Sequence, residues 1–196
     1  QVAGSCDIVC DVSHLCETYT RLRKHFPDLS SCVDILDLVP ICLEEFNFDT
    51  KEKRQIINTT RDLADIFQKA ALVQGYNPVF VIHSLAFFAW KMLDSSRLVK
   101  TYRQYCKHLQ VEHHSTTSQN IVFYTKMLIE LYKCSPEYVE QPNLSKVILV
   151  KIPDILRTKN IIVFNFNKSH PSHIAKKRYR SKVSENEEPQ IFDEDF

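Results

Sequence analysis

The chain of 196 residues is 44% hydrophobic and 25% charged, a globular composition rather than that of a disordered chain. Only 2 residues are Gly, against roughly 7% in an average protein, which argues against glycine-rich phosphate loops, dinucleotide fingerprints and turn-dense sandwiches or barrels. The formal net charge of +1 confines any polyanion-binding surface to a local patch, and no run of about 18 apolar residues offers a transmembrane helix.

The first residue is Gln, with no basic-then-apolar signal segment after it, so the sequence reads as a cytosolic or nuclear chain whose start lies further upstream. Its seven cysteines, Cys6, Cys10, Cys16, Cys32, Cys42, Cys106 and Cys134, contain no C-x-x-C pair and are expected as free thiols in a reducing compartment. Cys6, Cys10 and His14 share one helical face. A fourth ligand is not evident, so a buried helix face is the favoured reading and no metal site is expected.

Helix follows helix. An opening helix runs through Val9, Val12, Leu15, Cys16, Tyr19 and Leu22 to a basic end and Pro27. A second is expected over 31–46, kinked or split at Pro40, within a stretch 28–49 that holds six acidic residues and no Lys or Arg. The clearest helix spans 53–73, with Ile56, Leu63, Ile66, Phe67, Ala70 and Val73 on one face and Gly75 as its C-terminal cap. Asn77 and Pro78 supply an N-cap and first-turn proline for a helix over 78–93 that is apolar almost all round. At that length it is the buried centre of a bundle, not a bilayer span. His83 on it has nothing acidic one turn away, which makes it a hydrogen-bonded core or rim histidine rather than a catalyst.

A helix pair is expected over 98–109 and 116–133, joined by a link short enough for a helix-turn-helix. Tyr102, Tyr105, Cys106 and Leu109 mark the inner face of the first, and Ile121, Tyr124, Leu128 and Leu131 that of the second. Ser115 or Thr116 caps the second, leaving Ser118, Gln119 and Asn120 in exposed first turns. A last helix begins at Pro142 and Asn143 and reaches about 156, bent or ended by Pro153. Ile161, Ile162, Val163 and Phe164 fit strand or helix equally. The tail carries six basic and no acidic residues over 168–182, then six acidic and no basic residues over 185–195. Such blocks read as solvated and disordered.

No nucleophile elbow, P-loop, H-E-x-x-H or EF-hand loop occurs, and no catalytic residue is assigned. The positive charge is more specific. Lys91, Arg97, Lys100, Arg103 and Lys107 fall close together, opposed only by Asp94, and Lys100, Arg103 and Lys107 follow three- and four-residue steps along one helix face. One reading is a plain solvated face. The other is a phosphate-tracking surface leading into the helix-turn-helix, with Thr116, Ser118, Gln119 and Asn120 placed for phosphate or base-edge contacts.

The stretch 57–136 resembles the second cyclin-like repeat of TFIIB-type transcription factors. The likeness is carried by the leading amphipathic helix, by Gly75, Tyr76, Asn77 and Pro78, by Ala86, Phe87, Phe88, Ala89 and Trp90, and by Arg97 and Leu98 before the helix-turn-helix. Leu85, Ser96, Tyr105, Cys106, Lys107 and Val111 make it look like the TFIIB-related factors of RNA polymerase III, of the second Brf type. The resemblance implies an all-α, cyclin-like repeat of the TFIIB core type, with a partial preceding repeat and a disordered charged tail. Residues 1–50 would be the end of the first repeat and the linker, 51–166 the second repeat plus a following helix, and 167–196 the tail. Implied partners are TBP, promoter DNA, RNA polymerase III and the other TFIIIB subunits, in the nucleus, with no membrane and no small-molecule substrate. Lys100, Arg103 and Lys107 would face the DNA backbone. No cofactor is implied for these residues, although a full-length relative would carry a zinc ribbon upstream. The chain is therefore expected to be a fragment or a reduced relative. The rival readings are a cyclin-like regulatory subunit that binds a protein kinase, and a helical protein-interaction scaffold.

Overall fold

A computed structural model of the protein describes residues 34–170. The opening helix, the Cys6, Cys10 and His14 set and residues 171–196 of the charged tail lie outside them; residues 167–169, expected in that tail, instead end the last helix. The fold is all-α, and among the described residues every regular element is helical.

Helix α1 (Ile35–Cys42) starts at Asp34, whose carboxylate accepts the Leu36 amide at 3.0 Å. Pro40 lies inside it without splitting it. A proline at this position removes the amide that would bond the Leu36 carbonyl. That carbonyl instead accepts from Arg61 Nε at 3.2 Å, a donor supplied by the next helix.

Helix α2 (Thr50–Lys69) is capped by Asp49, which accepts the Lys51 amide at 2.8 Å. It starts earlier and ends earlier than its apolar pattern suggests. The C-terminal cap is not Gly75 but Ala71, at φ 59°, with Leu72 N–H donating to Phe67 O at 2.8 Å and Ala71 N–H to Gln68 O at 3.0 Å. This pair of bonds closes the helix and turns Leu72 into the core. Gly75, at φ 82°, serves the turn that follows. An alanine in the left-handed region is strained by its Cβ, so Ala71→Gly is expected to stabilise the fold by about 0.5–1 kcal/mol in urea unfolding. A variant less stable than the parent would show that Ala71 carries no such strain.

Helix α3 (Pro78–Met92) begins where Asn77 and Pro78 place it, with Asn77 accepting the Val79 amide at 3.0 Å. It is the central helix, packed against α1, α2 and the later helix α5, and buried on almost every side from Val79 to Lys91. Phe46 and Phe48, between α1 and α2, join the same core.

The helix expected over 98–109 starts only at Tyr102, and a separate 3-10 turn precedes it. A 3-10 turn, Ser95–Arg97, is capped by Asp94, which accepts the Ser96 amide at 2.8 Å. Helix α4 (Tyr102–Leu109) then starts afresh at Thr101 in a reciprocal cap with Gln104, and the chain turns at Gln110, φ 59°. Helix α5 (Ser115–Lys133) follows the expected bounds closely. The last expected helix is broken into α6 (Leu144–Val147), a 3-10 turn (Ile148–Lys151) and α7 (Ile152–Arg157). Pro153 sits in the first turn of α7 rather than ending a helix, since a first-turn proline forfeits no intrahelical bond. Ile161, Ile162, Val163 and Phe164 belong to helix α8 (Lys159–Ser169). Its Lys159 ammonium pairs with Asp62 at 3.0 Å and Asp65 at 3.6 Å, holding α8 against α2.

Candidate nucleic-acid interface

Helix α4 sets the site. Burying Tyr102, Tyr105, Cys106 and Leu109 leaves Arg103 and Lys107, one turn apart, on the outer face. The anchor is aromatic: the Tyr105 ring lies 5.1 Å from Trp90, 5.2 Å from Phe87 and 6.2 Å from Phe46. Lys100 is not on this helix, contrary to the expected common face. It precedes the Thr101 cap, and its amide closes the 3-10 turn onto Arg97 O at 3.0 Å. Its side chain is nonetheless exposed, beside those of Arg103 and Lys107 in sequence.

The other two cations of the cluster serve the fold. Arg97 binds Glu52 through two bonds of 2.9 and 3.0 Å while its guanidinium lies 4.8 Å from the Trp90 ring centroid. Lys91 is 9% exposed, with its ammonium 5.0 Å from the Phe87 ring centroid, and burial pulls its pKa down. Among the described residues no salt bridge is made by Lys100, Arg103 or Lys107, so these three offer their charge to solvent.

Each histidine of the cluster has an aromatic neighbour, although His108 and His113 remain exposed. His108 lies 5.8 Å from Trp90 and His113 5.2 Å from Tyr102, while His114 sits 5.4 Å from Phe80. His83 is a core histidine, edge-on to Phe46 at 4.8 Å. Burial, with His114 nearby, lowers its pKa to about 4, against a smaller opposing effect of its bond to the Cys42 backbone, so it is neutral at physiological pH.

The first turns of α5 divide between surface and core. Thr116 and Gln119, three residues apart, are exposed on one stripe. Ser118 is half-buried, its hydroxyl 3.2 Å from His113 Nε2 and 3.4 Å from His114 O. Asn120, expected at the surface, is only 5% exposed. It falls on the inward stripe of Thr117, Tyr124, Leu128 and Leu131, and its Nδ2 has no hydrogen-bond partner among the described residues. Asn120 is therefore not available to a base edge. The expected side-chain cap from Ser115 or Thr116 is also absent: His114 occupies the cap position without a capping bond, and the positive end of a 19-residue helix dipole is left without one. One residue escaped the sequence reading. Lys126 is exposed seven positions after Gln119 and so continues its stripe, a spacing that the sequence does display.

The arrangement is a basic shelf of three exposed cations, Lys100 in the loop and Arg103 and Lys107 on α4, followed in the chain by an exposed polar helix start at Thr116 and Gln119. It suits a polyanion, not a small molecule. Among the described residues no group of three or more His, Cys, Asp or Glu side chains is placed to hold a metal ion. None of the described helices is long and apolar enough to cross a membrane. Residues 42–160, more than half of the chain, match the family of BRF2-like C-terminal cyclin repeats. The chain belongs to that family. It is a TFIIB-type family of transcription factors, not of enzymes. The BRF2-like repeat begins at the last residue of α1 and ends in the first turn of α8, so it contains the whole basic shelf. A search of curated proteins finds no match for the chain.

Proposed function

We propose that this cyclin repeat is part of a nuclear initiation factor that binds TBP–promoter DNA complexes and helps to recruit RNA polymerase III together with the other TFIIIB subunits, without catalysis of its own. The observation that carries the DNA contact is the row of exposed cations at Lys100, Arg103 and Lys107, without salt bridges among the described residues, beside the exposed Thr116 and Gln119. Family membership supports the wider role. In this reading the cations track phosphates, Thr116 and Gln119 reach toward the groove with Ser118 held behind them, and Asn120 stays in the core. Residues 51–166 form the DNA-facing repeat, while 1–50 complete the preceding repeat and linker.

Titration of a TATA-box duplex with the chain, with and without TBP, over 50–200 mM salt tests the reading. A complex favoured by TBP, whose log affinity falls with log salt at a slope near −2.7 for three phosphate contacts, is expected. Salt-independent binding would remove DNA from the function. Failure to join TBP–DNA, with co-purification of an active kinase, would move the chain to the cyclin regulators.

A further inference from the structure

We propose that the acidic block of this chain, residues 185–195, docks on the exposed cations Lys100, Arg103 and Lys107 with the neighbouring Val99, and competes there with DNA. The inference rests on the DNA reading of those cations. Residues 185–195 lie outside the described structure, and their part in the argument comes from sequence, charge and reach.

The charges match. The block holds Glu185, Glu187, Glu188, Asp193, Glu194 and Asp195 with no Lys or Arg, while the three cations are without a salt bridge among the described residues. The apolar parts match as well: Val99 is 84% exposed beside Lys100, and the block carries Ile191 and Phe192 between its acids. The tether is long enough. Asn167, near the end of α8, donates to Lys69 O at 3.2 Å, whereas the shelf is tied through Arg97 to Glu52 near the other end of α2. From Glu52 to Lys69 is about 26 Å of helix. Residues 171–184, which separate α8 and His170 from the acidic block, span up to roughly 48 Å when extended. Tethering at that length sets a local concentration in the millimolar range, so a docking constant of a few hundred micromolar weakens DNA binding by about five-fold.

The test compares the full chain with a variant carrying Glu185→Gln, Glu187→Gln, Glu188→Gln, Asp193→Asn, Glu194→Gln and Asp195→Asn. Without DNA, the amide resonances of Arg103 and Lys107 are expected to shift between the two. With a TATA duplex, the neutralised variant is expected to bind about five-fold more tightly, and that gain is expected to vanish once Lys100→Gln, Arg103→Gln and Lys107→Gln are added. Unmoved amides on α4, with shifts confined to 168–182, would overturn the proposal by showing that the acids pair with the neighbouring basic stretch. A gain that survives the three Gln substitutions would overturn it too, as an effect of net charge alone. Shifted amides in a chain that binds no DNA in either form would uphold the docking and overturn the DNA reading instead.

Discussion

Trp90→Ala lowers the unfolding free energy by about 3–5 kcal/mol, read as a drop in the urea midpoint at an unchanged slope. Trp90 is 4% exposed, and its indole is packed on three sides. Phe87 lies at 6.4 Å and Tyr105 at 5.1 Å between ring centroids, with the Arg97 guanidinium at 4.8 Å. Truncation opens a void that neighbours on three separate elements cannot jointly fill. It also removes the surface on which Arg97 rests while it holds Glu52, so the 3-10 turn before Lys100 loosens together with the core. Trp90→Phe keeps a ring against Tyr105 and is expected to fall between the two. A Trp90→Ala protein that melts with the parent would place the indole outside the core.

Reversing the shelf, with Lys100→Glu, Arg103→Glu and Lys107→Glu in one chain, has its largest effect on binding. All three side chains are exposed and form no salt bridge among the described residues, so the fold is little disturbed. On TBP–DNA, affinity is expected to fall for every DNA sequence, because binding to phosphates conveys no sequence information. The salt slope is expected to flatten by about 0.9 for each phosphate no longer neutralised, or roughly 2.7 if all three cations touch phosphate. Gel shifts at several salt concentrations read both quantities, and an unchanged slope would take these residues out of the interface. Arg97 is not suited to the same experiment, because its charge is already engaged by Glu52.

How much of this was readable in advance depends on how far each element's cause lies along the chain. Asn77 and Pro78 act on the amides beside them, and an almost wholly apolar run follows, so α3 was legible in place and in burial. The inner face of α4 was legible for the same reason. Its start was not. Leu98 falls on a helical step before Tyr102, while the break between them depends on Asp94 capping a separate turn and on Arg97 reaching Glu52, 45 residues away. Ala71 shows no local sign of a left-handed cap. It takes that conformation because Leu72 enters the core, whereas Gly75 looked like the natural stop. Asn120 was misplaced because its polarity outweighed its register, although Thr117 and Tyr124 bracket it on the inward stripe. For the site, residue types indicated charge but not which charges were already engaged. Lys91 and Arg97 read like Lys100, and what separates them is packing against Phe87 and Trp90 and, for Arg97, its pair of bonds to Glu52.

The bond from Arg61 to the Leu36 carbonyl also bears on the order of assembly. An eight-residue helix that lacks one of its own hydrogen bonds at a proline cannot persist alone in water, because nucleation costs more than so few turns return. Its missing link is completed by a guanidinium on α2, so α1 acquires a full set of partners only after α2 has formed and presented that side chain. Between these two helices assembly is expected to run backwards along the chain, with the later one as the template on which the earlier one locks.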